Sequence, residues 1–134
     1  MNEQHLFNLI KEKILPDLEK TDQYNFSDAT SKKYDYSIEL KCRTSHYRFL
    51  MIEKVKYDKL MTSKNARYIN SIPVYPYENT YAVYSWNLNK MEEPIWFQKW
   101  CKETTEFGPV KYVKKWVAML DTHKAKNLSS ILFN

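Results

Sequence analysis

Only one glycine, Gly108, occurs in the whole chain of 134 residues. Phosphate loops such as GxGxxG or the Walker motif need several, because their backbone wraps the phosphate closely, so nucleotide binding of that kind is excluded. Cysteine is almost as scarce. Cys42 and Cys101 are far apart, and the opening MNEQHLF has neither a basic n-region nor an apolar h-region. Free thiols in a reducing, cytoplasmic setting are therefore expected. A zinc site assembled from Cys42, His46, Cys101 and His123 would lack a compact second half. The three histidines stand in no recognisable relation to a nucleophile, which argues against Ser or Cys catalysis. No apolar run exceeds about four residues, against the ~20 a membrane-spanning helix needs, so no membrane partner is expected.

Aromatic residues, by contrast, are abundant: 16% of the chain, with 11 tyrosines, within a hydrophobic share of 43%. Such a chain can bury roughly two-thirds of its unfolded surface, enough for one domain over residues 1–134 without metal or disulfide. The formal charge is +5 (21 basic minus 16 acidic residues) and unevenly spread. Residues 1–28 are acidic. Residues 40–67 carry Lys41, Arg43, Arg48, Lys54, Lys56, Lys59, Lys64 and Arg67 against only Glu53 and Asp58. Interleaved with Tyr47, Phe49 and Tyr57, this stretch suits a polyanion, with lysines facing phosphates and rings facing sugars or bases. A solvated lysine-rich face is the plainer alternative.

Periodicity predicts a mixed α/β fold. Phe7, Ile10, Ile14 and Leu18 recur at helical steps over residues 3–20, with Asn2 as cap and Pro16 ending or kinking the helix. From Tyr24 the period becomes two. A hairpin is expected, with Tyr24–Asp28 as one arm, Ser31-Lys32-Lys33 as the turn and Tyr34–Lys41 as the other arm. A second helix is expected over 48–62, although Phe49–Ile52 could equally begin a strand. Strands follow over 72–77, demoted to an edge or irregular strand by Pro73 and Pro76, and over 81–88. Residues 94–107 are ambiguous, 110–120 read as a strand and 122–128 as a short terminal helix. Trp86, Trp96, Trp100 and Trp116 are expected to be core or interface anchors rather than base-stacking platforms.

The chemistry concentrates between Asp28 and Arg43. On a strand, Glu39 and Lys41 share a face while Leu40 points into the core. Asp35 shares that face too, but four strand residues hold it roughly 13 Å from Glu39, too far for one Mg²⁺ to take both carboxylates. Asp28 lies on the opposite hairpin arm, where directly opposed residues sit about 5 Å apart. Two carboxylates so placed repel unless a cation lies between them.

Ser27-Asp28, a ten-residue gap and Glu39-Leu40-Lys41 in an apolar strand, with helices before and after, resemble the PD-(D/E)XK nuclease superfamily. The continuation Glu39-Leu-Lys-Cys-Arg43, with the later Ile52-Glu-Lys-Val-Lys56, is similar to small phage-type endonucleases of that group, some of them Holliday-junction resolvases. Ser27 stands where the family's eponymous proline would. The resemblance covers about residues 3–90 and leaves 91–134 as a C-terminal strand and helix extension. It implies an α-β-β-β-α-β, restriction-endonuclease-like core with a mixed sheet and flanking helices. It also implies Asp28, Glu39 and Lys41 as catalytic residues, with Asp28 and Glu39 as Mg²⁺ ligands. The Leu40 carbonyl is a further expected ligand, and Glu12 is the candidate from the first helix. Mn²⁺ is expected to substitute.

Arg43 is expected to clamp a neighbouring phosphate, with Lys54 and Lys56 positioning the DNA backbone. The expected activity is Mg²⁺-dependent hydrolysis of DNA phosphodiester bonds, with branched or junction DNA as candidate substrate and a homodimer as the assembly. The alternatives are a noncatalytic nucleic-acid-binding module on the same scaffold, or a protein-interaction or inhibitor protein.

Overall fold

The computed structural model describes residues 1–22, 27–103 and 108–134. Helix α1 (Glu3–Lys13) opens on Asn2, whose side chain accepts from the His5 amide, and buries Leu6, Phe7 and Ile10. It stops at Ile14, ahead of Pro16, since proline can neither donate to the helix nor clear the preceding turn. The chain then enters the sheet through β1 (Glu19–Lys20), β2 (Ala29–Ser31) and β3 (Tyr36–Cys42). The expected strand over Tyr24–Asp28 falls largely on residues outside those described. The described part of that arm is shifted: Ser31 pairs with Tyr36, and the turn occupies 32–35.

Strand β4 (Phe49–Glu53) comes next, followed by α2 (Lys54–Leu60), β5 (Asn65–Pro73) and β6 (Tyr81–Asn87). The helix expected over 48–62 is thus a strand followed by a shorter helix. The reason is period two: Leu50 and Ile52 are buried and pair with Leu120 and Ala118, while Phe49 is exposed. The strand expected over 72–77 leaves regular structure after Pro73, and only the edge alternative is corrected by β5. It lies between β3 and β6 rather than at an edge, because it begins at Asn65 and reaches Pro73 only as its last residue. A terminal proline costs the ladder little.

The remaining chain forms β7 (Phe97–Lys102), β8 (Tyr112–Asp121), a 3₁₀ turn (Thr122–Lys124), β9 (Lys126–Asn127) and α3 (Ser129–Phe133). The helix expected over 122–128 is therefore a turn and a short strand, with the helix beginning later. Nor is this tail a mere extension: β8 pairs with β4, and β9 with β6.

Two sheets result, one six-stranded in the order β1-β2-β3-β5-β6-β9 and one three-stranded in the order β4-β8-β7. Strands β3 and β5 are parallel, joined by the crossover that contains β4 and α2. One face of the large sheet presents Ile38, Leu40, Ile69 and Val83 to α1 and α3. The other packs Tyr68, Ile72 and Trp86 against Leu50, Ile52, Leu60 and Leu120 from α2 and the small sheet. Each fully buried Leu or Ile contributes about 1.5–3 kcal/mol. Among the described residues, no helix is long and apolar enough to cross a membrane.

Candidate active site

Strand β3 outruns β2, and the site lies where it does. The pairing Ala29↔Ile38 is the last on the ladder. Beyond it the register is not carried on: the Asp28 amide donates to the Ile38 carbonyl at 2.9 Å, and it is the Asp28 side chain that comes near Glu39. Strand pairing has ended there, so the Asp28 carboxylate takes its place: Oδ2 accepts from the Leu40 amide at 2.7 Å. A strand residue presents its N–H and C=O to the same neighbour, so the Leu40 carbonyl faces this edge as well. The Leu40 side chain is buried on the α1 face, which turns Glu39 towards α2.

Glu39 is an unusual carboxylate, only 6% exposed. Its Oε1 meets Lys56 Nζ at 3.1 Å, while its Oε2 is buried without a hydrogen-bond partner. Burial first, then the charge of Asp28, pushes its pKa up to about 7, against the lowering effect of Lys56. Two carboxyls in that relation require either a proton or a cation between them.

The charges around the pair come from α1, β3 and α2. Glu3 is raised by partial burial and then by Asp28, and lowered by Lys41, Lys56 and Lys20. Burial alone would lower Lys56, but the charge and hydrogen bond of Glu39 outweigh it and raise the ammonium. Lys41 is exposed on β3 and paired in register with Asn70.

Several expected residues are thereby relocated. Glu12 is not in the site. It lies nine residues beyond Glu3, about 13 Å along the helix axis and half a turn round it; it is exposed, and Glu3 is the acid α1 brings to Asp28. Lys56 is not a free backbone-positioning cation, because it pairs with Glu39. Lys54 is held by Asp58 at 2.9 Å and lies over the Trp96 ring.

Arg43 is likewise tied into the structure. Its Nε donates to Asn70 Oδ1 at 2.9 Å, and its Nη2 donates to the Tyr68 hydroxyl and the Met51 carbonyl. This links the two sheets and leaves Nη1 as the group with which it could meet a phosphate. Tyr68 stays a neutral phenol there, burial pushing its pKa to about 12. Sequence reading missed Glu3 and the pairing of Lys56. No spacing in the sequence marks either residue, since both reach the site through the packing of α1 and α2 against β3.

Among the described residues, no three His, Cys, Asp or Glu side chains cluster closely enough to hold a metal ion by themselves. Two carboxylates and a carbonyl nevertheless suit Mg²⁺, which keeps several waters and takes only one or two protein carboxylates. The orphaned Glu39 Oε2 fits such a cation. The chain matches no family model, no curated protein and no solved structure.

Proposed function

We propose that the protein is a divalent-metal-dependent DNA endonuclease, a phosphodiester hydrolase using Mg²⁺ or Mn²⁺ in the cytoplasm, with branched or junction DNA as candidate substrate. The observation that carries this reading is the Asp28 carboxylate beside Glu39 where β3 outruns β2, with Glu39 Oε2 buried and unpartnered. The order α1, β1, β2, β3, α2, β5, with β3 and β5 parallel, supports it, and β4 is the one intervening strand.

Asp28, Glu39 and the Leu40 carbonyl are the groups that would hold the ion. An ion held there would supply polarisation of the scissile phosphate and a more acidic water. Lys41 orients the attacking water and takes part in its proton transfer. Lys56 favours the ionised form of Glu39, the form that binds a cation. Glu3 adds negative charge at the rim. The same reading carries a homodimer as the assembly.

A noncatalytic nucleic-acid-binding module is the second reading, favoured by the Lys56–Glu39 ion pair, which already sets a cation beside one carboxylate oxygen. Incubation of labelled linear, flapped and four-way-junction DNA in Mg²⁺ or EDTA separates the two. The nuclease cuts only with the metal; the module binds in both buffers and cuts in neither.

A further inference from the structure

Strand β8 runs past its partner β4 by five residues, 112–116, with β7 beside it. At ~3.4 Å per residue this arm overhangs by roughly 17 Å. The register of β7 and β8 pairs Gln98 with Trp116, Trp100 with Lys114, and Lys102 with Tyr112, so all six share one face. That face continues, further along β8, into Ala118 and Leu120, which are buried in the contact with the large sheet. Over the arm it is open: Trp100 is 62% exposed, Tyr112 60% and Trp116 51%. Trp86 is buried and Trp96 half-buried, as core anchors are, whereas Trp100 and Trp116 lie outside the core.

The arm is rooted beside the candidate site. Lys115 Nζ holds Glu53 Oε1 at 3.0 Å at the end of β4, and α2 starts at the next residue, carrying Lys56 to Glu39. On the β7 side, the Trp96 ring packs edge-on against Tyr57 of α2 at 5.0 Å. Both strands of the arm are thus fastened to the helix that serves the site.

We infer that this face is a stacking platform for unpaired DNA nucleotides next to the cleavage site. Charge and spacing select this occupant. On the ring-bearing face Lys102 and Lys114 stand among the rings, none of its six residues is acidic, and Lys114 lies over the Trp100 ring at 5.5 Å. A two-fold contact with a second copy would set this basic face against itself, whereas a nucleic-acid strand supplies phosphates for Lys102 and Lys114 and bases for the rings. Trp116, Trp100 and Tyr112 are successive diagonal neighbours, about 7–8 Å apart. That is roughly twice the ~3.4 Å step of stacked DNA, so the rings suit bases drawn apart in a single strand. The inference deepens the proposed nuclease by giving its substrate class: duplex DNA with a single-stranded flap, gap or junction arm.

The test measures binding in EDTA, where cleavage plays no part. A fluorescein-labelled oligothymidylate, the same oligomer with abasic positions, and a blunt duplex are titrated with wild type, Trp100→Ala, Trp116→Ala and the double variant. Trp100→Phe and Trp116→Phe serve as conservative controls, and circular dichroism checks each fold. Each alanine is expected to weaken oligothymidylate binding roughly tenfold. Duplex binding should change little, the abasic oligomer should bind wild type as weakly as the oligothymidylate binds the double variant, and phenylalanine should restore most of the affinity. Alanine variants that bind the oligothymidylate as wild type does would overturn the inference, as would a wild type that binds no oligonucleotide. A change from dimer to monomer in sedimentation with unchanged DNA affinity would instead make the face a protein interface. If the rings matter for binding but Mg²⁺ elicits no cleavage, the platform stands and the nuclease reading fails.

Discussion

The Asp28 carboxylate lies close to Glu39 just beyond the last pair of the β2–β3 ladder, with Lys56 Nζ 3.1 Å from one Glu39 oxygen and the other oxygen buried without a partner. The fold holds this arrangement against its own electrostatics. Two carboxyls so close at a sheet edge are favourable only with a proton or a cation between them.

The proton can be read from stability. Glu39 titrates near 7 in the folded protein, above the ordinary value of 4.5. The native state therefore holds an extra proton between about pH 4.5 and 7, and stability falls as pH rises through that window. Glu39→Gln removes the ionisation. In EDTA the variant should be more stable than wild type at pH 8 by about 3 kcal/mol, with the gain vanishing near pH 4. Urea unfolding at both pH values checks this, and an equal gain at both would contradict it.

The cation can be read from a thermal shift. At about one hundred times its dissociation constant, Mg²⁺ should stabilise the wild type by about 2.7 kcal/mol. Asp28→Asn and Glu39→Gln should lose most of that shift, while Glu12→Gln should keep it. Retention of the full shift in both site variants would place the cation elsewhere.

The two lysines should separate in kinetics. Lys41→Ala is expected to lower kcat by ~10²–10⁴ with DNA affinity retained, the range for losing a group that acts on a proton in flight. Lys56→Ala removes the charge that lowers the Glu39 pKa, so its pH–rate profile should move to higher pH and its activity should partly recover in alkaline buffer. Identical pH profiles for Lys56→Ala and wild type would remove Lys56 from this role.

Arg43 should behave as a structural residue. Its guanidinium serves Asn70, Tyr68 and the Met51 carbonyl, and Arg43→Ala leaves those groups without it at a cost of about 3 kcal/mol. Thermal unfolding should show this loss, and DNA affinity measured well below the transition should change less than fivefold. A stable variant with greatly weakened binding would restore the phosphate-clamp role.

Much of the site was legible because strand geometry is local. The period-two run through Tyr36, Ile38 and Leu40 fixes the face of Glu39, and a turn centred between 33 and 34 brings the opposite arm back beside it near Asp28. What could not be read locally was set by tertiary packing. Phe49–Ile52 suits a helix or a strand until β8, more than sixty residues later, supplies Leu120 and Ala118 as its partners. Pro73 suggests an edge until the strand is seen to start at Asn65. Glu3 and Lys56 enter the site only because α1 and α2 pack on opposite faces of β3, an arrangement no spacing in the sequence encodes.

The most direct test of the central claim is cleavage of a labelled four-way junction and its flapped counterpart by wild type, Asp28→Asn and Glu39→Gln, each first shown to bind the DNA in EDTA. The account predicts Mg²⁺-dependent cutting by wild type and a loss of at least a hundredfold in both variants with binding intact. Wild-type binding without cutting in Mg²⁺ or Mn²⁺, or cutting that survives both substitutions, would contradict it.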